Sequence, residues 1–237
     1  MTRMRRHQLI VGTLAVALAA TLTGCGEEGL SLPSPEEISE SATGDPAPEG
    51  GGSSETTLPN LPGAQEGRTM LGELTVAEEG SMAGYSRDEF PHWQSTEGCT
   101  ARQHVLIRDG VDVQTDDNCQ PQQGEWYSEF DGETLTAAAD VDIDHIVPLA
   151  AAWRSGADSW DRERRREFGN DLENPQLIAV SQPSNRSKGD QTPADWRPME
   201  SYWCDYALAW TATKHTYELT VTDEEHEALT EMLDTCG

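Results

Sequence analysis

All seven tryptophans and all five tyrosines of this chain fall between Tyr85 and Tyr217, and four of its five cysteines lie beyond residue 98. Rings and sulfur bridges are what a chain poor in aliphatic residues must use to build an interior. Their segregation therefore confines a compact fold to the C-terminal part. Leu, Ile, Val and Phe make up only 16% of the 237 residues, against a formal net charge of −27. Taken over a whole chain, a share below about 20% with high charge signals disorder. Here disorder is expected of the N-terminal part alone. Such acidity also argues against a generic nucleic-acid coat, whose faces are basic, but it leaves a local basic site open.

The first residues read as an address. Arg3, Arg5 and Arg6 precede an apolar run over 9–22 and then Thr23-Gly24-Cys25, the pattern of an export signal over 1–24. The run is too short to span a bilayer comfortably. Leu22-Thr23-Gly24-Cys25 looks like a bacterial lipobox, which implies that Cys25 becomes the lipidated first residue of the mature protein. Its expected place is the outer face of the bacterial cytoplasmic membrane, held there through lipid on Cys25; plain secretion is the alternative. Residues 26–66 carry nine acids and no base, with many Pro, Gly and Ser. The segment 25–66 is expected to be an acidic, disordered tether, with the folded domain over 67–237.

For an exported domain, Cys99, Cys119, Cys204 and Cys236 point to disulfides. Of the three pairings the sequential one is expected, Cys99–Cys119 and Cys204–Cys236, each stabilising by roughly 3 kcal/mol in the chain-entropy model. A zinc site is the rival reading, but no two cysteines have the close spacing it needs. Thr100-x-x-Gln103 resembles a capping box before Val105-Leu106, closed by Asp109-Gly110; the alternative there is a hairpin. Trp126, Ser128 and Phe130 alternate before an Asp131-Gly132 turn, so a hairpin is predicted. A short strand over 138–148 ends at Pro148. Helices are predicted over 149–154 and 159–170, with Gly156 between them and Asp158 as an N-cap. A second strand over 176–180, a helix over 182–188 stopped by Gly189, a helix over 201–216, and a last helix capped by Thr222 complete the order.

The most informative stretch is Asp142-Ile143-Asp144-His145-Ile146-Val147-Pro148-Leu149. It places a hard carboxylate and a titratable imidazole at the end of a strand. Asn174-Pro175-Gln176-Leu177-Ile178 and then Ser184-Asn185-Arg186-Ser187-Lys188-Gly189-Asp190 follow. Over about 140–193 this order resembles the HNH endonucleases of the ββα-metal, or His-Me finger, class. The likeness is greatest to secreted HNH proteins related to the C-terminal domain of GmrSD-type restriction endonucleases. A looser likeness runs through Tyr85-Ser86-Arg87, Cys99-Thr100-Ala101-Arg102 and Trp126-Tyr127-Ser128.

The resemblance implies an α+β fold: a ββα-metal core with a helical insertion, an additional N-terminal hairpin and C-terminal helices, supported by disulfides. It implies His145 as the general base, Asp144 and Asn185 as metal ligands, and Asn174 as a residue that holds the connecting loop. Arg186 and Lys188 lie where phosphate contacts are expected. The motif departs from a strict H-N-H, starting Asp-His and ending in Asn as in CRISPR effector HNH domains. So few nitrogen ligands favour Mg²⁺ over Zn²⁺ or Ni²⁺ as the divalent metal. Asp140 and Asp142 are expected to support the site structurally.

The residue types suit phosphodiester hydrolysis, which needs an activated water and neutralisation of charge on the leaving oxygen. Eight bases and nine acids lie between Asp144 and Pro198, so the motif segment is nearly neutral within a very acidic domain. The expected partner is therefore nucleic acid, DNA with RNA left open, bound with weak sequence preference. No obligate protein partner is evident. Arg164-Arg165-Arg166 reads as the solvated side of its helix before it reads as a DNA contact. Two other functions compete: a catalytically silent surface-binding module that kept the fold, and an exported cell-wall hydrolase. The acid surplus itself suits a saline environment or simple solubility.

Overall fold

The computed structural model describes residues 58–237, so the leader, Cys25 and the tether as far as residue 57 lie outside the described residues. Folding begins earlier than composition suggests. Helix α1 (Ala64–Glu73) starts inside the segment read as tether, with Leu58 and Leu71 buried and Leu61 packed beside them. The expected boundary between 66 and 67 is thus too late. These leucines are spread through polar sequence and show no helical period of their own.

A 3-10 turn at Arg87–Glu89 and a two-residue ladder, β1 (Ser95–Thr96) with β2 (Cys99–Thr100), lead into α2 (Ala101–Asp109). The predicted capping box starts that helix. Thr100 Oγ1 accepts from Gln103 N at 3.3 Å and Gln103 Oε1 accepts from Thr100 N at 2.7 Å, satisfying two orphan donors reciprocally. The helix passes directly into β3 (Gly110–Thr115), an unanticipated strand that pairs with β4 (Pro121–Tyr127), which in turn pairs with β5 (Thr134–Leu135). Gly110 faces Trp126, and a Cβ there would stand 2.5 Å from Trp126 Nε1. Only glycine lets that indole lie across the strand and donate to Leu106 O at 2.8 Å. The predicted hairpin is the β4–β5 pair. Its strand ends at Tyr127, however, and Phe130 leaves the ladder to enter the main core.

Strand β6 (Val141–His145) pairs antiparallel with β7 (Leu177–Ser181) in unbroken register from Val141↔Ser181 to His145↔Leu177. The alternation of side chains divides the interior in two. Val141, Ile143, Leu177 and Ala179 pack with Val105, Leu106 and Trp126, while Ile178 and Val180 join the larger cluster around Tyr206 and Trp210. Both faces are covered. Asp142 and Asp144 therefore do not form the wet side of an exposed strand.

Between β6 and β7 lie α3 (Leu149–Arg154), a 3-10 turn at Ala157–Ser159, and α4 (Arg162–Gly169). The cap of α4 is Asp161, whose side chain accepts from Arg164 N at 2.8 Å, rather than Asp158. Arg165 is buried, donating to Glu89 O and Trp160 O and pairing with the Glu89 carboxylate. Helix α5 (Gln182–Lys188) follows β7 and packs on both strands. Helices α6 (Trp203–Thr216) and α7 (Asp223–Leu233) then close the core with α1.

The disulfides are the sequential pair, Cys99–Cys119 and Cys204–Cys236. One ties the start of α2 to the β3–β4 connection, and the other ties the start of α6 to the end of the chain. The fold is α+β. No helix among the described residues is long and apolar enough to cross a membrane. Thr222 caps α7 by accepting from Glu225 N at 3.1 Å. Thr222→Ala is expected to lower stability by about 1 kcal/mol, read as a shift in the urea midpoint at unchanged m-value.

Candidate active site

Two local signals aim the site residues. Strand β6 ends in Asp144-His145, and α5 is held at a fixed phase by its caps. Ser181 Oγ accepts from Ser184 N at 3.2 Å, and Gly189, at φ +56°, stops the helix in a conformation that favours glycine. Asn185 and Lys188 are three residues apart, so they share the face of α5 turned to β6.

Asn185 Nδ2 donates to Asp142 Oδ2 at 3.0 Å. With its nitrogen so committed, the amide presents Oδ1 as its free hard oxygen. Asp142 thus orients Asn185, the supporting part expected of it.

Lys188 is fully buried. Its Nζ lies 2.8 Å from Asp144 Oδ2 and donates to His145 O at 2.9 Å. This corrects the expectation of a phosphate contact, because the ammonium faces the interior and serves as counterion to Asp144. Asp144 is 6% exposed, and among the described residues no hydrogen bond beyond the Lys188 contact reaches its Oδ2. Burial pushes the Asp144 carboxyl up to about 6 despite the Lys188 ammonium and the more distant Arg87. Burial lowers the affinity of Lys188 for its proton in turn, against the pull of Asp144.

His145 is 4% exposed and lies beside the rings of Trp93 and His92, at 5.7 and 6.4 Å between centroids. Its Nε2 is 3.0 Å from Gly169 O. A carbonyl can only accept, so Nε2 carries the proton and Nδ1 keeps the lone pair. Burial pushes the imidazole down to about 3, with the charge of Arg87 adding to the effect and the Gly169 bond opposing it. The ring is neutral at physiological pH.

Asp144, His145 and Asn185 line one cleft of about 260 Å³, together with Tyr85, Arg87 and Asp190. Asp190 is held from behind by Arg154, whose Nη1 lies 2.8 Å from Asp190 Oδ2 and whose Nε lies 2.9 Å from Glu79 Oε1. Among the described residues no three His, Cys, Asp or Glu side chains converge as a metal group. What the cleft offers a metal is the desolvated Asp144 carboxylate and the Asn185 amide oxygen, the Asp190 carboxylate there being paired with Arg154. That donor set fits a hard divalent cation that keeps waters and takes substrate oxygens.

Arg186 is exposed on α5 and donates to Gln182 Oε1 at 3.0 Å. Asn174 sits in the loop before β7, where its Nδ2 donates to Asp171 Oδ2 at 2.8 Å. Asp171 also accepts from Tyr217 Oη and from the backbone of Glu173 and Asn174. Two contributors were not singled out from sequence. Gln176 is fully buried and continues the β6–β7 ladder with its side chain, Oε1 accepting from Val147 N and Nε2 donating to Val147 O. Arg87 comes from far along the chain, and only the looser likeness at Tyr85-Ser86-Arg87 pointed to it.

A relative from Arthroderma benhamiae, described as an uncharacterized secreted protein, is 54% identical over 159 residues, which are 66% of this chain and 78% of that protein. No solved structure matches. Residues 98–232, more than half of the chain, match the model of the family described as GmrSD restriction endonucleases, C-terminal domain. That segment contains β6, β7 and α5 with Asp144, His145 and Asn185, while Tyr85 and Arg87 precede it. The chain belongs to the GmrSD C-terminal domain family, which is related to the HNH-type nucleases.

Proposed function

We propose that the domain is a divalent-metal-dependent endonuclease that hydrolyses phosphodiester bonds of DNA, with RNA as the second substrate to test. The observation that carries this reading is the convergence of Asp144, His145 and Asn185 on one cleft, with the imidazole neutral and one ring nitrogen free. The order β6, β7, α5, with the helix packed on both strands, supports the same reading.

His145 Nδ1 takes a proton from the attacking water, while the Nε2–H bond to Gly169 O fixes the tautomer and steadies the imidazolium that forms. Burial alone would leave this a weak base. A phosphate anion brought against the ring raises its proton affinity. Asp144 and Asn185 Oδ1 would hold the metal, Mg²⁺ by the hardness of the donors. When bound, a divalent ion supplies Lewis-acid stabilisation of charge on the phosphate and the leaving oxygen. Asp142 keeps the Asn185 oxygen turned to the cleft, and Lys188 keeps Asp144 in place.

The reading is extracytoplasmic. Two disulfides, the basic and apolar leader, and a relative described as secreted support export. Cys25 is the proposed lipid-bearing residue.

The test is nicking of supercoiled plasmid, and in parallel of RNA, by the full chain with Mg²⁺ and with EDTA. His145→Ala is expected to slow cleavage by about 10²–10⁴-fold. Cleavage at the wild-type rate by His145→Ala, or equal cleavage in EDTA, would overturn the mechanism.

A further inference from the structure

A nuclease this acidic must hold its substrate with few cations, and most are already committed. Arg154, Arg164, Arg165, Arg166 and Arg197 each lie within salt-bridge distance of a carboxylate, and both lysines are buried on one. Arg87 differs. Among the described residues no carboxylate pairs with Arg87, and its Nε donates to His92 Nε2 at 3.3 Å, which leaves both Nη groups for a ligand. Arg87 lines the cleft with Asp144, His145 and Asn185, and its charge is felt at both Asp144 and His145.

The turn that carries Arg87 is fixed on three sides. Phe90 is fully buried behind it. Tyr85 packs edge-on against Trp153 at 5.8 Å between centroids. Arg165 holds Glu89 by its carbonyl and its carboxylate, each at 3.2 Å. The mount fixes where the exposed Arg87 side chain starts, its bond to His92 steadies Nε, and the planar fork of a guanidinium matches two oxygens of a phosphate.

We propose that Arg87, mounted on Tyr85 and the Arg87–Glu89 turn, is a phosphate-binding subsite of the cleft that grips the nucleic-acid phosphate presented to Asp144 and His145. The inference rests on the nuclease reading of that cleft and adds to it a residue from outside the family-matched segment 98–232. The segment before residue 98 thus supplies part of the binding machinery and is not only a connection.

The experiment uses the full chain. Arg87→Ala is expected to lower kcat/KM for plasmid nicking by about 10²-fold or more with an unchanged melting midpoint. Arg87→Lys keeps the charge without the fork and should recover only part of the loss. In a His145→Ala background, where cleavage is suppressed, adding Arg87→Ala should reduce the slope of log K against log salt for duplex DNA by about 0.9, one phosphate contact. Wild-type nicking by both Arg87 variants with an unchanged slope would overturn this inference and leave the nuclease reading standing. A wild-type chain that cleaves neither DNA nor RNA overturns the nuclease reading; the subsite then stands if DNA binding still loses one phosphate contact in Arg87→Ala, and falls if it does not. Should Arg87→Ala lower the melting midpoint, Arg87→Lys decides, and wild-type kcat/KM and slope in that variant would refute the bidentate contact.

Discussion

A Glu225→Ala variant is expected to lose about 3–5 kcal/mol of folding stability. Glu225 and Lys214 form an ion pair with both side chains out of water, Nζ lying 2.6 Å from Oε1. Lys214 also donates to Ser155 Oγ at 3.0 Å and Thr220 O at 2.7 Å, and Trp210 Nε1 donates to Glu225 Oε1. The pair therefore ties α6 to α7 and to the turn after α3. Burial already works against the charge on Lys214, and the carboxylate is the main group opposing that. Removing Glu225 leaves an ammonium buried with only neutral partners. Replacing both partners, as in Lys214→Met with Glu225→Leu, should restore much of the loss. Recovery stays incomplete because Trp210 Nε1 and Thr220 O lose their partners. Guanidinium unfolding of the three proteins checks this. A loss below about 1 kcal/mol in Glu225→Ala would mean that water reaches the pair and the burial argument is wrong.

Sequence made legible those features whose causes are local. The cap Thr100 with Gln103, the cap Thr222, the stop at Gly189 and the bounds of α3 and α5 each follow from residues within a turn of the effect. The ordered motif placed Asp144, His145 and Asn185 on strand and helix, and the fold brings all three to one cleft. What stayed hidden depends on distant partners. Strand β3 is six residues with positive φ at Asp112 and two register shifts against β4, so its alternation is broken. Helix α1 buries little of its own surface and is defined by what α6 and α7 offer it. The cap expected at Asp158 falls at Asp161, where Trp160 packs on Phe168 and Tyr217 before α4 begins. Arg87 had only the looser likeness at Tyr85-Ser86-Arg87 to point to it, since its place at the cleft depends on a turn that Arg165 and Trp153 hold.

Lys188 is the sharpest case, because the same residue supports two readings with opposite observables. A lysine that touches phosphate is exposed, and removing it leaves stability alone while weakening DNA binding. The fold turns Lys188 inward onto Asp144 and His145 O. Lys188→Met is therefore expected to cost about 3–5 kcal/mol, because it leaves a carboxylate buried without its counterion. In a His145→Ala background it should leave the salt slope of DNA binding unchanged wherever the protein remains folded. The deficit should also depend on pH, with a definite sign. The Asp144 carboxyl already stands near 6 with Lys188 beside it, and without the ammonium it rises further. A folded-state value above the unfolded one means that the native variant takes up a proton that the unfolded chain does not. Its stability then falls as pH rises through that range. Denaturation midpoints should show a smaller gap between Lys188→Met and wild type at pH 5 than at pH 8. An unchanged midpoint together with a slope smaller by about 0.7–0.9 would instead make Lys188 the phosphate ligand that its place in the motif suggested.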